Sequence, residues 1–159
     1  MIREMLGIAE GILQDLHDDH SEVDELLEEI MDSDNGGERS RLFAQMKDKL
    51  LPHLKAEQEV LYRRLETGKS GESRKFGMEG TSEHALVEQQ VEKLVDLGNP
   101  MSEEWTAEFK VLQDLIEDHV IEEESTGFSC ARDEFDTEQL EAMSREFQTR
   151  KAQLGTRVA

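Results

Sequence analysis

The sequence HLKAEQEVLY, residues 53–62, places a histidine four residues before a glutamate and ends on an aromatic side chain. The same arrangement recurs in HVIEEESTGF, residues 119–128, where His119 and Glu123 take the corresponding places. Positions i and i+4 of an α-helix lie one turn apart on one face, so each histidine projects in the same direction as its glutamate. A carboxylate on an apolar face needs a partner that replaces its lost hydration, and a metal ion serves several carboxylates at once. The pattern therefore predicts helices gathered around a buried metal centre.

Two further histidines interrupt apolar stripes of predicted helices. His20 takes one position in a stripe with helical spacing of three and four residues, formed by Leu13, Leu16, Val23, Leu27 and Ile30. His84 opens a similar stripe and is followed by Glu88 at i+4. His20 and His53 are 33 residues apart, and His84 and His119 are 35 apart. The two halves of the chain therefore repeat one plan.

The periodicity predicts five helical segments, and four of them carry one of these histidines. The stretch from Thr67 to Gly80 contains four glycines and is interpreted as a mobile connection between two helical hairpins. The fourth helix is expected to fray at Thr126-Gly127, and a fifth is expected to begin at Asp136 with a capping box. Four long segments with short connections favour an all-α fold, an antiparallel up-down four-helix bundle with an additional C-terminal helix.

A chain of 159 residues is long enough for one well-buried core and too short to favour two domains. We expect a single domain over residues 1–159, with the bundle at about 2–128 and the C-terminal helical segment at about 136–154. The apolar side of that last segment is expected to cover the bundle or a partner subunit. The residues themselves do not fix an oligomeric state.

The chain has 38 acidic and 18 basic residues and a formal net charge of −20. Most of these acids are interpreted as a solvated surface, and the charge predicts neither a nucleic-acid partner nor a membrane partner. Cys130 is the only cysteine, which excludes an internal disulfide and thiolate-rich zinc or iron–sulfur sites. Charged residues interrupt the apolar positions near the N-terminus, such as Leu6 and Ile8, and no stretch approaches the ~20 apolar residues that cross a bilayer. A cytoplasmic location is the expectation.

The repeat predicts how the side chains meet. If the halves pack about a pseudo-twofold axis, each of two metals receives two histidines from one half, and the glutamates lie between the metals. The candidate metal ligands are His20, His53, Glu57, His84, Glu88, His119 and Glu123. Imidazole nitrogen combined with carboxylate oxygen suits iron, manganese or zinc, and of these we take iron. No catalytic residue separate from the ligands is expected.

Other interpretations of these residues remain open beside the metal centre. Histidines on apolar faces also occur as neutral core residues in purely structural bundles, and Glu88 also fits a solvated surface residue. Several neighbours are interpreted as surface charges or packing groups: His17, Glu59, Tyr62, Glu122, Glu124 and Phe128. A ferritin-like signature with glutamate three before histidine is absent from the four histidines, and so is the His-Glu-x-x-His of zinc peptidases.

The chain from about Ile12 to Phe128 resembles the hemerythrin-like family, the cation-binding HHE domain. The resemblance rests on Asp19-His20, His53-x3-Glu57, His84 and His119-x3-Glu123. The resemblance implies a four-helix bundle around a non-haem di-iron centre, two iron ions joined by an oxo or hydroxo bridge. It also implies that Glu57 and Glu123 are the bridging carboxylates. His20 and His53 would then serve the more open iron, and His84 and His119 the other.

The same resemblance carries the expected function. It implies a reaction with a small oxidant, hydrogen peroxide, nitric oxide or dioxygen, at an open iron position. Oxygen-carrying hemerythrins have a histidine where this chain has Glu88, and a carboxylate ligand there should stabilise ferric iron and disfavour reversible oxygen carriage. Detoxification of peroxide or nitric oxide by a di-iron oxidoreductase is therefore the expectation by analogy. An oxygen- or iron-binding or sensing module without turnover is the alternative.

Overall fold

The structure, a computed structural model, describes residues 10–158 of the chain and the side chains of residues 10–155. Within this range the chain forms helices and no β-strand, which confirms the all-helical class. Residues 2–9 of the expected bundle, with Leu6 and Ile8, lie outside the described residues. We label the helices in chain order: α1, Ile12–Asp32; α2, Gly36–Glu57, continued by a π-helical turn Gln58–Tyr62 and by Arg63–Glu66; α3, Gly71–Leu97; α4, Glu103–Glu122, continued by a π-helical turn Glu123–Gly127 and by Phe128–Glu134; and α5, Thr137–Val158.

Polar side chains fix where most of these helices begin. Asn35, Ser70 and Ser102 precede α2, α3 and α4, and each side chain accepts a hydrogen bond from a backbone N–H of the first turn. Before α5, Asp136 and Gln139 exchange side-chain and backbone hydrogen bonds of 2.8 Å in both directions. This confirms the predicted capping box, so the start of the last helix is encoded locally.

Helix packing sets two apolar clusters on either side of the four histidines. α1 packs against α2, α3 against α4, and α5 lies on α1 and α2. One cluster, which we call the α5-side cluster, gathers Ile12, Leu13, Leu16, Ala56, Val60, Leu61, Tyr62, Leu65, Phe76, Phe128, Cys130, Ala131, Leu140, Met143 and Phe147. The second, the tryptophan cluster, gathers Val23, Leu27, Ile30, Leu42, Phe43, Met46, Leu50, Leu54, Val87, Val91, Leu94, Trp105, Phe109, Leu112 and Ile116. The histidines lie where one cluster gives way to the other along each helix.

The structure corrects two predictions made from glycines. α3 begins at Gly71, inside the stretch interpreted as a mobile connection, and α4 continues past Gly127 to Glu134. A Cβ added at Gly80 would lie 2.6 Å from the Tyr62 ring, and one at Gly127 would lie 2.5 Å from the Phe76 ring. These glycines allow two helices to approach closely and do not break them. Both predictions are wrong, because glycine is found in flexible segments and in close helix contacts alike, and the sequence does not tell the two apart.

No helix within the described range has both the length and the apolar character required to span a membrane.

Candidate metal centre

The four histidines and two of the glutamates are buried between the apolar clusters. The exposed fraction is 8% for His20, 3% for His53, 0% for His84 and 6% for His119, and both Glu57 and Glu123 are fully buried. Two carboxylates in a dry interior are strongly unfavourable unless partners offset the loss of hydration. The fold therefore concentrates polar groups at the one level of the helices where its apolar stripes are interrupted.

Two overlapping groups of these residues could hold metal ions. His20, His53 and Glu57 form one group, and Glu57, His84 and His119 form the other. In each group the potential ligand atoms all lie within 4.8 Å of one another. Each group takes its two histidines from one half of the chain, and Glu57 belongs to both.

Glu57 and Glu123 lie between the two groups. Glu57 Oε1 is 3.7 Å from His53 Nε2 and 3.1 Å from His84 Nε2. The oxygens of Glu123 lie 3.0 Å from His20 Nε2 and 3.7 Å from His119 Nε2. Each carboxylate thus reaches one histidine from each half of the chain, which is the geometry that a bridging ligand requires.

Carboxylates outside the centre orient three of the histidines. His53 Nδ1 donates to Asp19 at 2.8 Å, and His119 Nδ1 donates to Glu83 at 2.7 Å. With the proton on Nδ1, the Nε2 of each ring keeps its lone pair and directs it at the centre. His20 Nδ1 donates to Glu124 at 2.7 Å. A carboxylate behind the outer nitrogen is the usual support of a metal-bound histidine.

The unsatisfied buried atoms of the donor set fit cations. Both carboxylate oxygens of Glu57 are buried without a hydrogen-bond partner among the described residues. His84 Nε2 and His119 Nε2 are only 3.1 Å apart. Buried acceptors without donors destabilise a fold, and a shared cation would satisfy all of them. The residues present therefore fit a pair of metal ions.

The pKa values of the buried groups indicate which of them would carry protons in the absence of metal ions. Burial raises the pKa of Glu57 well above its ordinary value, and the negative charge of Glu123 raises it further. Burial alone would raise the pKa of Glu123, but the hydrogen bond and charge of His20 hold it well below its usual range. Burial alone would lower the pKa of His20, but hydrogen bonds to Glu123 and Glu124 raise it to about 9. Metal binding would release these protons.

Tyr62 reaches the centre, although its sequence position suggested packing alone. Its hydroxyl donates to Glu123 and lies 3.0 Å from His119 Nε2. Its ring lies over His84, with ring centroids 4.9 Å apart. Phe128 occupies the corresponding place in the second half and has no hydroxyl, so the two halves are chemically different here. The interpretation of Tyr62 as a packing group alone is wrong.

Sequence reasoning also missed two carboxylates behind the histidines. Glu124, interpreted as an outer-face charge, accepts from both His17 at 2.8 Å and His20 at 2.7 Å. Glu83 received no role. A signal for it was present, because Asp19 and Glu83 each directly precede the first histidine of their half. Their shared place in the repeat matches their shared contact with the second histidine of that half.

Glu88 lies apart from the other candidate ligands. It is half-buried and lines a surface cavity with Leu51, Pro52 and Lys55, and it belongs to neither metal-binding group. In the first half the corresponding residue, four beyond His20, is Asp24, which is exposed. The i+4 carboxylate therefore turns inward only on the second helix of each half. The structure therefore brings six of the seven predicted ligands together, Glu123 through its contacts with His20 and His119, and places Glu88 apart from them.

A small cavity adjoins the centre. Its volume is about 20 Å³, and it touches Asp19, His20, His53 and His119. The rest of its lining is apolar: Val23, Leu50, Leu54, Val87, Ile116 and Val120. A larger surface groove of about 320 Å³ shares His20, Ile116 and Val120 with it. The inner cavity has room for about one water-sized molecule.

Comparison with known proteins gives a family and one longer relative. A sequence profile of the hemerythrin HHE cation-binding domain matches residues 11–131 of this chain. A curated protein from Nostoc sp. (strain PCC 7120), named a DNA nickase, is 31% identical over 144 residues. That alignment covers 88% of this chain and 39% of the relative, so the chain spans about two fifths of that protein's length. No solved structure matches the chain.

Proposed function

Because the chain belongs to the hemerythrin HHE cation-binding family, we propose that it is a non-haem di-iron protein that detoxifies hydrogen peroxide or nitric oxide. The observation that carries this proposal is the sharing of Glu57 by two buried groups of histidines. Two cations that share one carboxylate lie close enough to act on one small molecule.

The order of the apolar clusters along the chain supports an antiparallel up-down arrangement of α1–α4 as the frame of the centre. In α1 the α5-side cluster precedes His20 and the tryptophan cluster follows it. In α2 this order is reversed around His53, and α3 and α4 repeat the alternation. Helices that meet the same two clusters in alternating order run in alternating directions. We further propose that the chain is a single domain, as its length of 159 residues leads us to expect.

Six side chains would hold the two ions. His20 and His53 would hold one ion, His84 and His119 would hold the other, and Glu57 and Glu123 would be shared by both. Mixed imidazole and carboxylate ligands without thiolate suit iron. When bound, a pair of iron ions supplies the electron transfer that the reduction or dismutation of a small oxidant requires.

The surrounding residues limit the size of the reactant and provide a proton donor. The cavity of about 20 Å³ beside His20, His53 and His119 has room for about one water-sized molecule, which favours a very small reactant. Its apolar lining keeps bulk water away from the histidines. The Tyr62 hydroxyl donates its proton to Glu123 and lies beside His119 Nε2, so it could supply a proton to a bound reactant.

The proposal assigns no nucleic-acid substrate to this chain, although one relative is named a DNA nickase. The net charge of −20 repels a phosphate backbone, and the candidate ligands lie at most 8% exposed. Plasmid incubated with the metal-loaded chain should stay supercoiled. Nicking that disappears in His53→Ala would replace the proposal with a two-metal phosphodiesterase.

The direct test is the decomposition of hydrogen peroxide by the iron-loaded protein, followed as oxygen release. We expect release by the wild type, loss in His53→Ala and Glu57→Ala, and retention in the matched control Glu88→Gln. Full turnover by both ligand variants would overturn the proposal. If dioxygen or nitric oxide instead binds reversibly and no reactant is consumed, the size of the cavity fits the second candidate, a gas-binding or sensing module without turnover.

A further inference from the structure

Helix α5 lies beyond the matched range of residues 11–131, yet it reaches the first group of candidate ligands. Lys151 Nζ donates to both carboxylate oxygens of Asp19, at 3.0 Å and 2.8 Å. Asp19 Oδ2 in turn accepts the hydrogen bond from His53 Nδ1 at 2.8 Å. An unbroken line of hydrogen bonds therefore connects α5 with a residue of the centre.

Burial makes this connection stronger than a surface ion pair. Asp19 is 6% exposed and Lys151 is 20% exposed, so solvent screens their attraction only in part. Phe147, one turn before Lys151, places its ring edge-on to His53 with centroids 5.6 Å apart. Lys151 Nζ lies 5.0 Å above that same ring. Two neighbouring side chains of α5 thus hold His53 from one side.

The other cation near Asp19 is a weaker partner. Lys49 Nζ lies 3.6 Å from Asp19 Oδ1 and makes a closer contact with Glu22. Lys151 alone contacts both oxygens of Asp19 at hydrogen-bond distance among the described residues. It therefore controls the rotation of the carboxylate that orients His53.

Among the described residues, the second half of the chain shows no equivalent of this support. Glu83 holds His119 Nδ1 at 2.7 Å, as Asp19 holds His53, but its side chain is 45% exposed. Across residues 10–155, no lysine or arginine forms an ion pair with Glu83. One half of the centre is therefore braced by α5, and the other is supported by a carboxylate open to water.

We propose that Lys151, acting through Asp19, is a positioning residue for the metal site of His20 and His53. The metal affinity of that site then depends on α5, and the metal affinity of the site of His84 and His119 does not. This inference rests on the proposed pair of metals. A carboxylate held by a cation keeps the imidazole oriented and raises its basicity, and loss of such outer support weakens metal binding by about 10- to 100-fold.

The test is anaerobic titration of metal-free protein with ferrous iron against a colorimetric chelator. The wild type should bind two ions per chain. In Lys151→Met, one of the two should bind about tenfold more weakly and the other unchanged. Lys151→Arg should keep both affinities, because it keeps the cation. Arg145→Met removes the same charge from an exposed position of α5 and should also keep both.

A double-mutant cycle separates positioning from general destabilisation. Lys151→Met should add nothing in an Asp19→Asn background and should keep its full effect in a Glu83→Gln background. Equal effects in both backgrounds, or unchanged iron binding by Lys151→Met, would overturn the inference. If urea unfolding shows that Lys151→Met does not fold, Lys151→Gln replaces it with the same expectation. A wild type that binds no iron would instead refute the proposed function.

Discussion

At the scale of single residues, Glu57 is the most important candidate ligand because both groups of histidines share it. Burial and the negative charge of Glu123 raise its pKa, which favours the neutral acid in the metal-free protein. We therefore expect Glu57→Gln to change the free energy of unfolding of the metal-free protein by less than about 1 kcal/mol. Iron content should nevertheless fall, because a neutral amide is a poor ligand.

The control for Glu57→Gln is Glu88→Gln, which makes the same chemical change at the edge of a surface cavity. Elemental analysis of both variants measures bound iron, and urea unfolding measures stability. Equal iron in Glu57→Gln and wild type would contradict the shared role of Glu57. Loss of iron from Glu88→Gln would return that residue to the ligand set.

Gly80 tests how tightly α3 is packed against Tyr62. A Cβ at this position would lie 2.6 Å from the Tyr62 ring, so Gly80→Ala should displace the ring and lower stability by about 1–3 kcal/mol. Gly155→Ala is the control, because nothing lies within 4 Å of its added carbon. That variant should gain up to about 1 kcal/mol from helix propensity. Urea unfolding gives both values, and a Gly80→Ala protein as stable as the wild type would contradict the packing.

Helical spacing alone was enough to predict that the four histidines and two of the glutamates are buried at one level of the helices. His20, His53, Glu57, His84, His119 and Glu123 could be proposed from positions on a stripe. The roles of Glu83, Glu124 and Tyr62 depend on which neighbouring helix each side chain faces, and periodicity carries no such information. The glycines at positions 77, 80 and 127 could not be interpreted correctly from the sequence, because glycine is found both where a helix ends and where two helices pack closely.

At the scale of helices, a π-helical turn begins directly after one central carboxylate and at the other. The two turns span Gln58–Tyr62, directly after Glu57, and Glu123–Gly127. A π-helix bonds residue i to i+5 and so widens the helix just after Glu57, in the turn that ends at Tyr62. The sequence shows an aromatic residue five beyond the glutamate in both halves, but a 3.6-residue period could not explain that spacing. Such turns often occur at functional sites.

Helix α5 should behave as part of the core and not as an appendage. Phe147 is fully buried in the α5-side cluster, so Phe147→Ala should lower the free energy of unfolding by about 3–5 kcal/mol. Leu86→Ala removes an apolar side chain that is 51% exposed and should cost at most about 0.5 kcal/mol. Urea unfolding compares the two. A cost below about 1 kcal/mol for Phe147→Ala would show that α5 is only loosely attached.

At the scale of the whole molecule, the centre should link stability to pH. Folding raises the pKa of His20 from 6.5 to about 9, so its contribution is complete below pH 6.5 and is lost as pH rises through 9. The metal-free protein should therefore lose up to about 3 kcal/mol across this range from His20. Glu57, whose pKa is also raised, acts in the same direction.

Urea unfolding of metal-free protein between pH 6.5 and 9.5 measures this dependence. The decline should be smaller in His20→Gln, and it should shrink in the iron-loaded protein, where the proton on His20 Nε2 has been displaced. Stability that rises over this range in the metal-free wild type would show that His20 is not held charged by Glu123 and Glu124.

The general plan of the molecule could be predicted, but its asymmetry could not. Apolar stripes of helical period and the repeated histidine spacing predict an all-helical fold with two related halves. The apolar side of α5 gave two equal options, the bundle or a partner subunit, because a stripe does not identify the surface that it covers. The contact of Lys151 with Asp19 joins residues 132 positions apart, and no local pattern connects them.

The most direct test of the central claim is the iron content of protein purified without an affinity tag, measured together with its absorption spectrum before and after exposure to oxidant. We expect two irons per chain and a spectral change on oxidation, both lost in Glu57→Gln. Less than about one iron per two chains, with no spectral change, would contradict the claim and leave a structural bundle with neutral histidines.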